Sequence, residues 1–396
     1  MKGNNRAINR VYTYMTTRRQ FCLASSLAAI AASGTSFNAW AQPDAPLVLG
    51  QSAAFTGPSA QLGIQFYEGA RLHFDSINAK GGIHGRSIEL RKLDDGYEPE
   101  RSAANTKKFI AEGVFALFGY VGTPTSLAAL PLANAAKIPF FAPFTGAQSL
   151  REPQNRYAVH VRASYFEETA AIVKQITSTS INKVAVFYQN DAYGQAGLEG
   201  VQLALKARQL QTTSSGTVER NSVDVKKAVT DIMASQPEAI VQISAYKSSA
   251  AFIREARKAG FKGSFYNVSF VGTQALANEL GKEARGVVIS QVMPHPFSYG
   301  TPIATEFQKA VQAQAGINKE LSVNYSSMEG FVAAQVFTHA LNLAGRRPTR
   351  ESFINAVEGM RQAQIGGFAL DFSVAKHTGS QYVDMTILSG DRHVLH

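Results

Sequence analysis

The 396-residue sequence contains one cysteine, Cys22. A lone thiol forms no intrachain disulfide. Its place within the first 41 residues leaves the rest of the chain without a thiol nucleophile or a thiolate metal site. Catalytic signatures are missing too: there is no G-x-S-x-G elbow and no H-E-x-x-H. The eight histidines are scattered, and His84, His160, His295 and His339 never fall at metal-ligand spacing. G-x-G-x-x-G and Gly-Lys-Ser/Thr are absent, which excludes the dinucleotide fingerprint and the P-loop. No later segment is long and apolar enough to span a bilayer, and there is no low-complexity tract or short-period repeat. Basic runs stop at pairs such as Lys107-Lys108 and Arg346-Arg347. The formal charge of +10 therefore needs care. Five basic residues (Lys2, Arg6, Arg10, Arg18, Arg19) lie in the first 41 positions, which hold no acid; the remainder carries 34 basic against 29 acidic residues. Mild, dispersed basicity does not predict a nucleic-acid partner. No cofactor and no metal are expected.

What is present indicates a globular chain: 45% apolar and 17% charged residues, and length enough for two domains. The N-terminus has the order of an export signal over 1–41. Arg18-Arg19 precedes an apolar stretch, 21–32, and Ala39-Trp40-Ala41 supplies a small-x-small site before Gln42. The pattern is of the twin-arginine type, with Sec export as the alternative, and cleavage is expected near Ala41. Cys22 follows Arg-Arg-Gln-Phe instead of closing an apolar stretch, so it does not read as a lipoprotein anchor. The mature product is expected to be soluble and periplasmic, without membrane insertion.

From Pro46 onward short apolar runs alternate with amphipathic stretches. Strands are expected over 47–53, 88–93, 115–119 and 138–142, then over 184–188, 239–243, 264–268, 287–292 and finally 383–388. Helices are expected over 63–79, 100–112, 166–177 and 248–259, and later over 305–315, 328–343 and 350–358. Single strands separated by helices indicate βαβ units and parallel sheets. The alternation pauses at "RYAVHVRASY" and again at "QVMPHPFSYGTP", so the two strand sets read as two versions of one α/β module.

Small polar residues and rings collect after the strands. In "GYVGTPTSLAAL", Thr123 reads as an N-cap with Pro124 at the first helical position. Spare N–H groups there suit a small carboxylate, and Gly122 allows close approach to the backbone. In a parallel sheet the neighbouring loop carries Phe144, Thr145 and Gly146. In the second set, Asp191 reads as a helix cap with Tyr193 facing the cleft, while Tyr246, Asn267 and Ser269 follow later strands. On pattern alone, helix capping accounts for Thr123 and is compatible with anion binding, and packing at the helix start accounts for Tyr193 equally well. Asp94-Asp95 reads as a strand-end turn, not an acid–base pair, and Ser59 as a helix cap.

Four phrases carry a resemblance: "GPSAQLG", "SINAKGGIHGRSIELRKLDD", "QNDAYGQAG" and "FIREARKAGFKG". They are similar to the branched-chain amino-acid (Leu/Ile/Val) binding proteins of ABC importers, within the type I periplasmic solute-binding proteins. The resemblance implies two doubly wound parallel-sheet lobes joined by three hinge crossings, with the solute between them. The lobes would comprise 44–162 plus 292–366 and 163–291 plus 367–396. It also implies that Thr123, helped by Phe144, Thr145 and Gly146, holds the ligand carboxylate, and that Tyr193 closes over the ligand with Tyr246 close by. The family acid that pairs with an ammonium is replaced by Asn267-Val268-Ser269. An ammonium buried without a counter-charge is costly, so a carboxylate- or amide-bearing solute is expected instead of a plain α-amino acid. The implied function is the non-enzymatic, monomeric solute-binding component of an importer with an inner-membrane ABC permease as partner. The alternatives are an extracytoplasmic sensor of the same fold or an exported hydrolase.

Overall fold

Leu47–Ala53 (β1) pairs in parallel with Ile88–Asp94 (β2) on one side and Ala116–Phe118 (β3) on the other. The structure, a computed structural model, describes residues 45–314, 316, 318, 321–391 and 393–395. The export signal read over 1–41, with Cys22 and Ala39-Trp40-Ala41, lies outside them. Phe140–Phe141 (β4) and Ala158–Val159 (β5) complete an all-parallel sheet in the order β2-β1-β3-β4-β5. Ala60–Ala79 (α1), Pro99–Ala111 (α2) and Thr123–Ala135 (α3) connect these strands. The strand order reverses at β1, between β2 and β3, the switch point of a doubly wound sheet.

A second sheet repeats the scheme. Its parallel strands are Val184–Gln189 (β6), Thr212–Val218 (β7), Ala239–Ile243 (β8), Ser264–Asn267 (β9) and Val288–Gln291 (β10). Their order, β7-β6-β8-β9-β10, matches that of the first sheet strand for strand. The connecting helices are Tyr165–Ser178 (α4), Ala192–Lys206 (α5), Lys226–Met233 (α6), Tyr246–Lys258 (α7) and Thr273–Leu280 (α8). The chain then returns to the first lobe as Pro302–Ala313 (α9), Tyr325–Ala344 (α10) and Arg350–Glu358 (α11). A short hairpin, Ala363–Ile365 (β11) with Phe368–Leu370 (β12), precedes Asp384–Leu388 (β13) and Val394–Leu395 (β14). The last two strands extend the second sheet antiparallel beyond β10. Three passages thus join the lobes: after β5, after β10 and after α11.

Five strands escape the sequence reading: Ala158–Val159, Thr212–Val218 and, towards the end of the chain, the short Ala363–Ile365, Phe368–Leu370 and Val394–Leu395. Thr212–Val218 is an edge strand of the sequence TTSSGTV whose exposure alternates, so it offers no apolar run. Ala158–Val159 is two residues long and sits within the first pause. Ser59 is the N-cap position of α1 but makes no side-chain capping bond; its hydroxyl instead faces Asn221 Oδ1 at 3.4 Å.

Aromatic residues build the first core. Phe118 and Phe141 stack with ring centroids 6.0 Å apart, and Phe337 from α10 packs edge-on against both. α10 reaches α1 through backbone contact. A Cβ on Gly330 would stand 2.0 Å from the Phe66 carbonyl oxygen. This close approach seats Glu329, the preceding residue, at the junction of the lobes.

Candidate functional site

The first rim is set by a turn. Gly122 takes φ +98°, a conformation that favours glycine, and it is the N-cap of α3. This corrects the reading of Thr123 as cap: Thr123 is the first helical residue and Pro124 the second. The Thr123 hydroxyl is directed sideways and lies 2.6 Å from Thr145 Oγ1. The loops meet because Val121 and Phe144 form a parallel bridge continuing the β3–β4 pairing. Both glycines of this rim accommodate rings. A Cβ on Gly122 would stand 2.2 Å from Tyr97 Cε2, and one on Gly146 2.6 Å from Tyr165 Cδ1.

The second rim starts with Asp191, whose carboxylate caps α5 by accepting from the Tyr193 N–H at 3.0 Å. That cap turns the Tyr193 ring inward, where it is fully buried. The ring lies 5.4 Å from Tyr165 and 4.7 Å from Phe270. Thr145 Oγ1 lies 3.4 Å from the Tyr165 hydroxyl. Thr123, Thr145, Tyr165 and Tyr193 therefore run as one chain from lobe to lobe. Phe144 joins them by packing on Phe270 at 5.4 Å and on Phe66 at 5.5 Å. Tyr246 stands apart from this group. It opens α7 and is buried, and that burial raises its phenol above the ordinary value.

Ser269 leads to a feature that the sequence reading missed. Its hydroxyl meets the guanidinium of Arg162, and its N–H donates to Glu168 Oε2 at 2.7 Å. Arg162 is fully buried in the first passage between the lobes. Its Nη2 donates to Glu168 Oε1 at 2.8 Å, and its Nη1 lies 3.4 Å from Glu329 Oε1. The guanidinium carbon is 5.4 Å from the Phe144 ring and 5.8 Å from the Tyr165 ring, within cation–π range. A capping box positions this group. Ser164 accepts from the Glu167 N–H while Glu167 accepts from the Ser164 N–H, which starts α4 and turns Glu168 inward. Two signals were legible: S-x-x-E after "HVRA", and Glu329 as the only charged residue of the twenty in α10.

Burial dominates the electrostatics here. It pushes the Glu329 carboxyl up to about 7; Arg162 opposes the shift and Glu168 adds to it. Burial alone would lower Arg162, but Glu329 and Glu168 outweigh it and hold the guanidinium charged. Burial also raises the Tyr165 phenol to about 12 and Tyr193 well above its ordinary value. Two donors at the centre have no acceptor among the described residues: Arg162 Nε and the Tyr193 hydroxyl. The rims are in contact. Phe144, Ser269, Gln291, Val292, Met293, Tyr325, Ser326 and Glu329 enclose a cavity of about 10 Å³, room for one water. Among the described residues no group of three or more His, Cys, Asp or Glu is placed to hold a metal ion, and no helix is long and apolar enough to cross a membrane.

Comparison with known proteins agrees with this geometry. The sequence profile of a periplasmic binding protein family matches residues 46–391. A Leu/Ile/Val-binding protein homolog 7 from Brucella abortus (strain 2308) is 25% identical over 334 residues, covering 79% of this chain and 81% of that protein. The crystal structure of a possible leucine/isoleucine/valine-binding protein from Rhodopirellula baltica SH 1 superposes with a TM-score of 0.85. It is 34% identical, over 90% of this chain and 98% of that one. A substrate-binding periplasmic protein from Ralstonia solanacearum gives a TM-score of 0.82 at 29% identity, over 88% and 99% of the two chains. These relatives are solute-binding proteins, not enzymes. Two lobes of identical strand order, meeting through hydroxyls and rings at the carboxyl ends of their strands, and a profile match along nearly the whole described chain lead to one assignment: the protein belongs to the periplasmic binding protein family, type I fold.

Proposed function

We propose that this protein is the solute-binding component of an ABC importer, and that it captures a small carboxylate- or amide-bearing solute between its lobes by hinge closure. One observation carries the reading. The Thr123–Thr145–Tyr165–Tyr193 chain draws on both lobes and is buried only where they meet. Opening at the three passages would separate Thr145 from Tyr165 and Phe144 from Phe270, and expose both rims to solvent. The solute must prefer the closed form, or no closure follows. We place the lobe boundaries at 162/163, 291/292 and 366/367. Gly122, Thr123, Phe144, Thr145 and Gly146 serve as the first-lobe wall, Tyr193, Tyr246 and Ser269 as the second.

The class of solute follows from the unpartnered groups. Arg162 Nε and the Tyr193 hydroxyl are donors, and a buried donor without an acceptor is unfavourable. A carboxylate or an amide carbonyl supplies that acceptor. Glu168 is already committed to Arg162, Ser269 and Ser290, which disfavours it as the partner of an ammonium. The relatives named for leucine, isoleucine and valine support a branched apolar body on the solute, suited to the Phe144 and Phe270 rings. We further read the chain as exported to the periplasm, cleaved near Ala41, monomeric, and delivering to an inner-membrane permease.

A thermal-shift screen tests this. At about 100 times its dissociation constant a ligand adds roughly 2.7 kcal/mol of stability. Stabilisation by a carboxylate or an amide, with the solute recovered unaltered, is the expected result. No stabilisation by carboxylates, amides or amino acids at millimolar concentration would overturn the reading.

A further inference from the structure

Of the two carboxylates that meet Arg162, one is committed and one is loose. The Glu168 carboxylate accepts from Arg162 on one oxygen; on the other it accepts from the Ser269 N–H and from the Ser290 hydroxyl at 2.6 Å. Glu329 comes from the opposite lobe. Its one hydrogen bond among the described residues is the 3.4 Å contact with Arg162 Nη1, and it borders the small cavity with Gln291, Tyr325 and Ser326. The guanidinium keeps a further N–H, Nε, without an acceptor.

We propose that an anionic carboxylate of the solute displaces Glu329 from Arg162 as the lobes close, and that Glu329 takes up one proton from solvent in exchange. This rests on the solute-capture reading above. The only bond formed is the O–H of the Glu329 carboxyl. Charge decides the matter. Arg162, Glu168 and an ionised Glu329, the groups in direct contact, together carry one net negative charge, which Arg151 offsets only weakly and without contact. Adding a solute anion would make it two in a buried site, a costly arrangement. Protonating Glu329 restores the count. The burial that holds the Glu329 carboxyl near 7 makes the step accessible near neutral pH.

The charged groups acting on Glu329 are Arg162, Glu168 and, more weakly, Arg151, whose Nη atoms donate to the carbonyls of Ala147 and Arg162. Groups on the elements packed against α10 are engaged elsewhere. On α1, Glu68 pairs with Arg71, and His73 lies 2.9 Å from the Thr338 hydroxyl. On α9, Glu306 accepts from Gln335. On α8, Glu279 pairs with Arg254, and on α11, Arg350 donates to the main chain of Val114. On α10 itself Tyr325 lines the same small cavity, with the His295 ring 5.9 Å from it.

A zwitterion behaves differently. The ammonium of an amino acid would neutralise an ionised Glu329, so binding would take up no proton. Proton linkage therefore separates the two solute classes at one site. The experiment is calorimetric titration of the purified protein at pH 8 in phosphate and in Tris, buffers with different heats of ionisation. The probes are 4-methylpentanoate, benzoate, 4-methylpentanamide and L-leucine. The expected result is uptake of close to one proton on binding a carboxylate, with affinity nearly flat below about pH 6 and falling towards tenfold per pH unit above about pH 7. In Glu329→Gln both the uptake and the pH dependence disappear. Carboxylate binding without proton uptake, or binding of the amide or leucine alone, overturns the inference and leaves solute capture standing. No binding by any probe overturns both.

Discussion

Arg220 and Glu98 meet across the mouth of the cleft at 2.8 Å, one from the segment after β7 and the other from the N-cap of α2. Asn221 reinforces the pair by donating to Glu98 Oε1 at 2.8 Å and to the Gly96 carbonyl at 3.0 Å. Arg220 also faces Asp191, the cap of the helix that carries Tyr193. The contact lies far along the chain from the three passages and joins the lobes directly, so it acts on the closed form alone. Arg220→Ala should shift the population toward the open form, raise the radius of gyration measured by X-ray scattering without solute, and weaken solute affinity by about two- to fivefold. A part-exposed pair is worth at most about 1 kcal/mol, so Tm should change little. An unchanged radius and affinity would show that the pair does not hold the lobes together.

Tyr193→Phe separates binding from stability. The hydroxyl is buried without a partner, and such a group costs roughly 1–3 kcal/mol. The variant should be as stable as the parent or somewhat more so in urea unfolding. Its affinity for a carboxylate should fall, by about fivefold for one lost hydrogen bond. Loss of stability would mean that the hydroxyl has a structural partner.

Gly122→Ala should destabilise the first rim. The added Cβ meets the Tyr97 ring at 2.2 Å, and φ is +98°. Backbone strain of about 1–3 kcal/mol combines with the overlap. Gly57, with φ +80° and nothing within 4 Å of its virtual Cβ, isolates the strain alone. In thermal unfolding Gly122→Ala should therefore lose more than Gly57→Ala. Equal losses would mean that the Tyr97 ring yields at no cost.

The raised Glu329 carboxyl gives a stability profile with a definite sign. Its folded value, about 7, lies above the unfolded carboxylate range. Between those values the folded state holds the extra proton. Stability from this group is thus full in acid and declines as pH rises from about 4.5 through 7. The decline is on the order of a few kcal/mol at most. Urea unfolding of Glu329→Gln should lack this component, so the difference between variant and parent should grow in favour of glutamine up to about pH 7 and then level off. A difference independent of pH would place the ionisation of Glu329 outside this range.

Much of the fold could be read from the chain. Leu47–Ala53 and Ala239–Ile243 were delimited correctly because they are short, almost wholly buried runs that open on consecutive apolar residues. Thr212–Val218 was not, because an edge strand of serines and threonines has no apolar periodicity. Thr123, Thr145 and Tyr193 were visible as hydroxyls after strands, since a parallel sheet gathers the ends of its strands. Thr123 was nevertheless misassigned as a cap: the turn demands a positive φ, and Gly122 meets it. Arg162 was hidden in a pause between modules, and Glu329 in a helix that otherwise reads as core.

By itself the sequence determined the repeated α/β module, the parallel pairing and the rim where small polar residues collect, because strand burial and turn chemistry are local properties. Only the tertiary structure decided which charges meet. Arg162, Glu168 and Glu329 belong to a passage, a helix of one lobe and a helix of the other, and an ion pair depends on distance in space and on burial, neither of which is written in the spacing of residues along the chain.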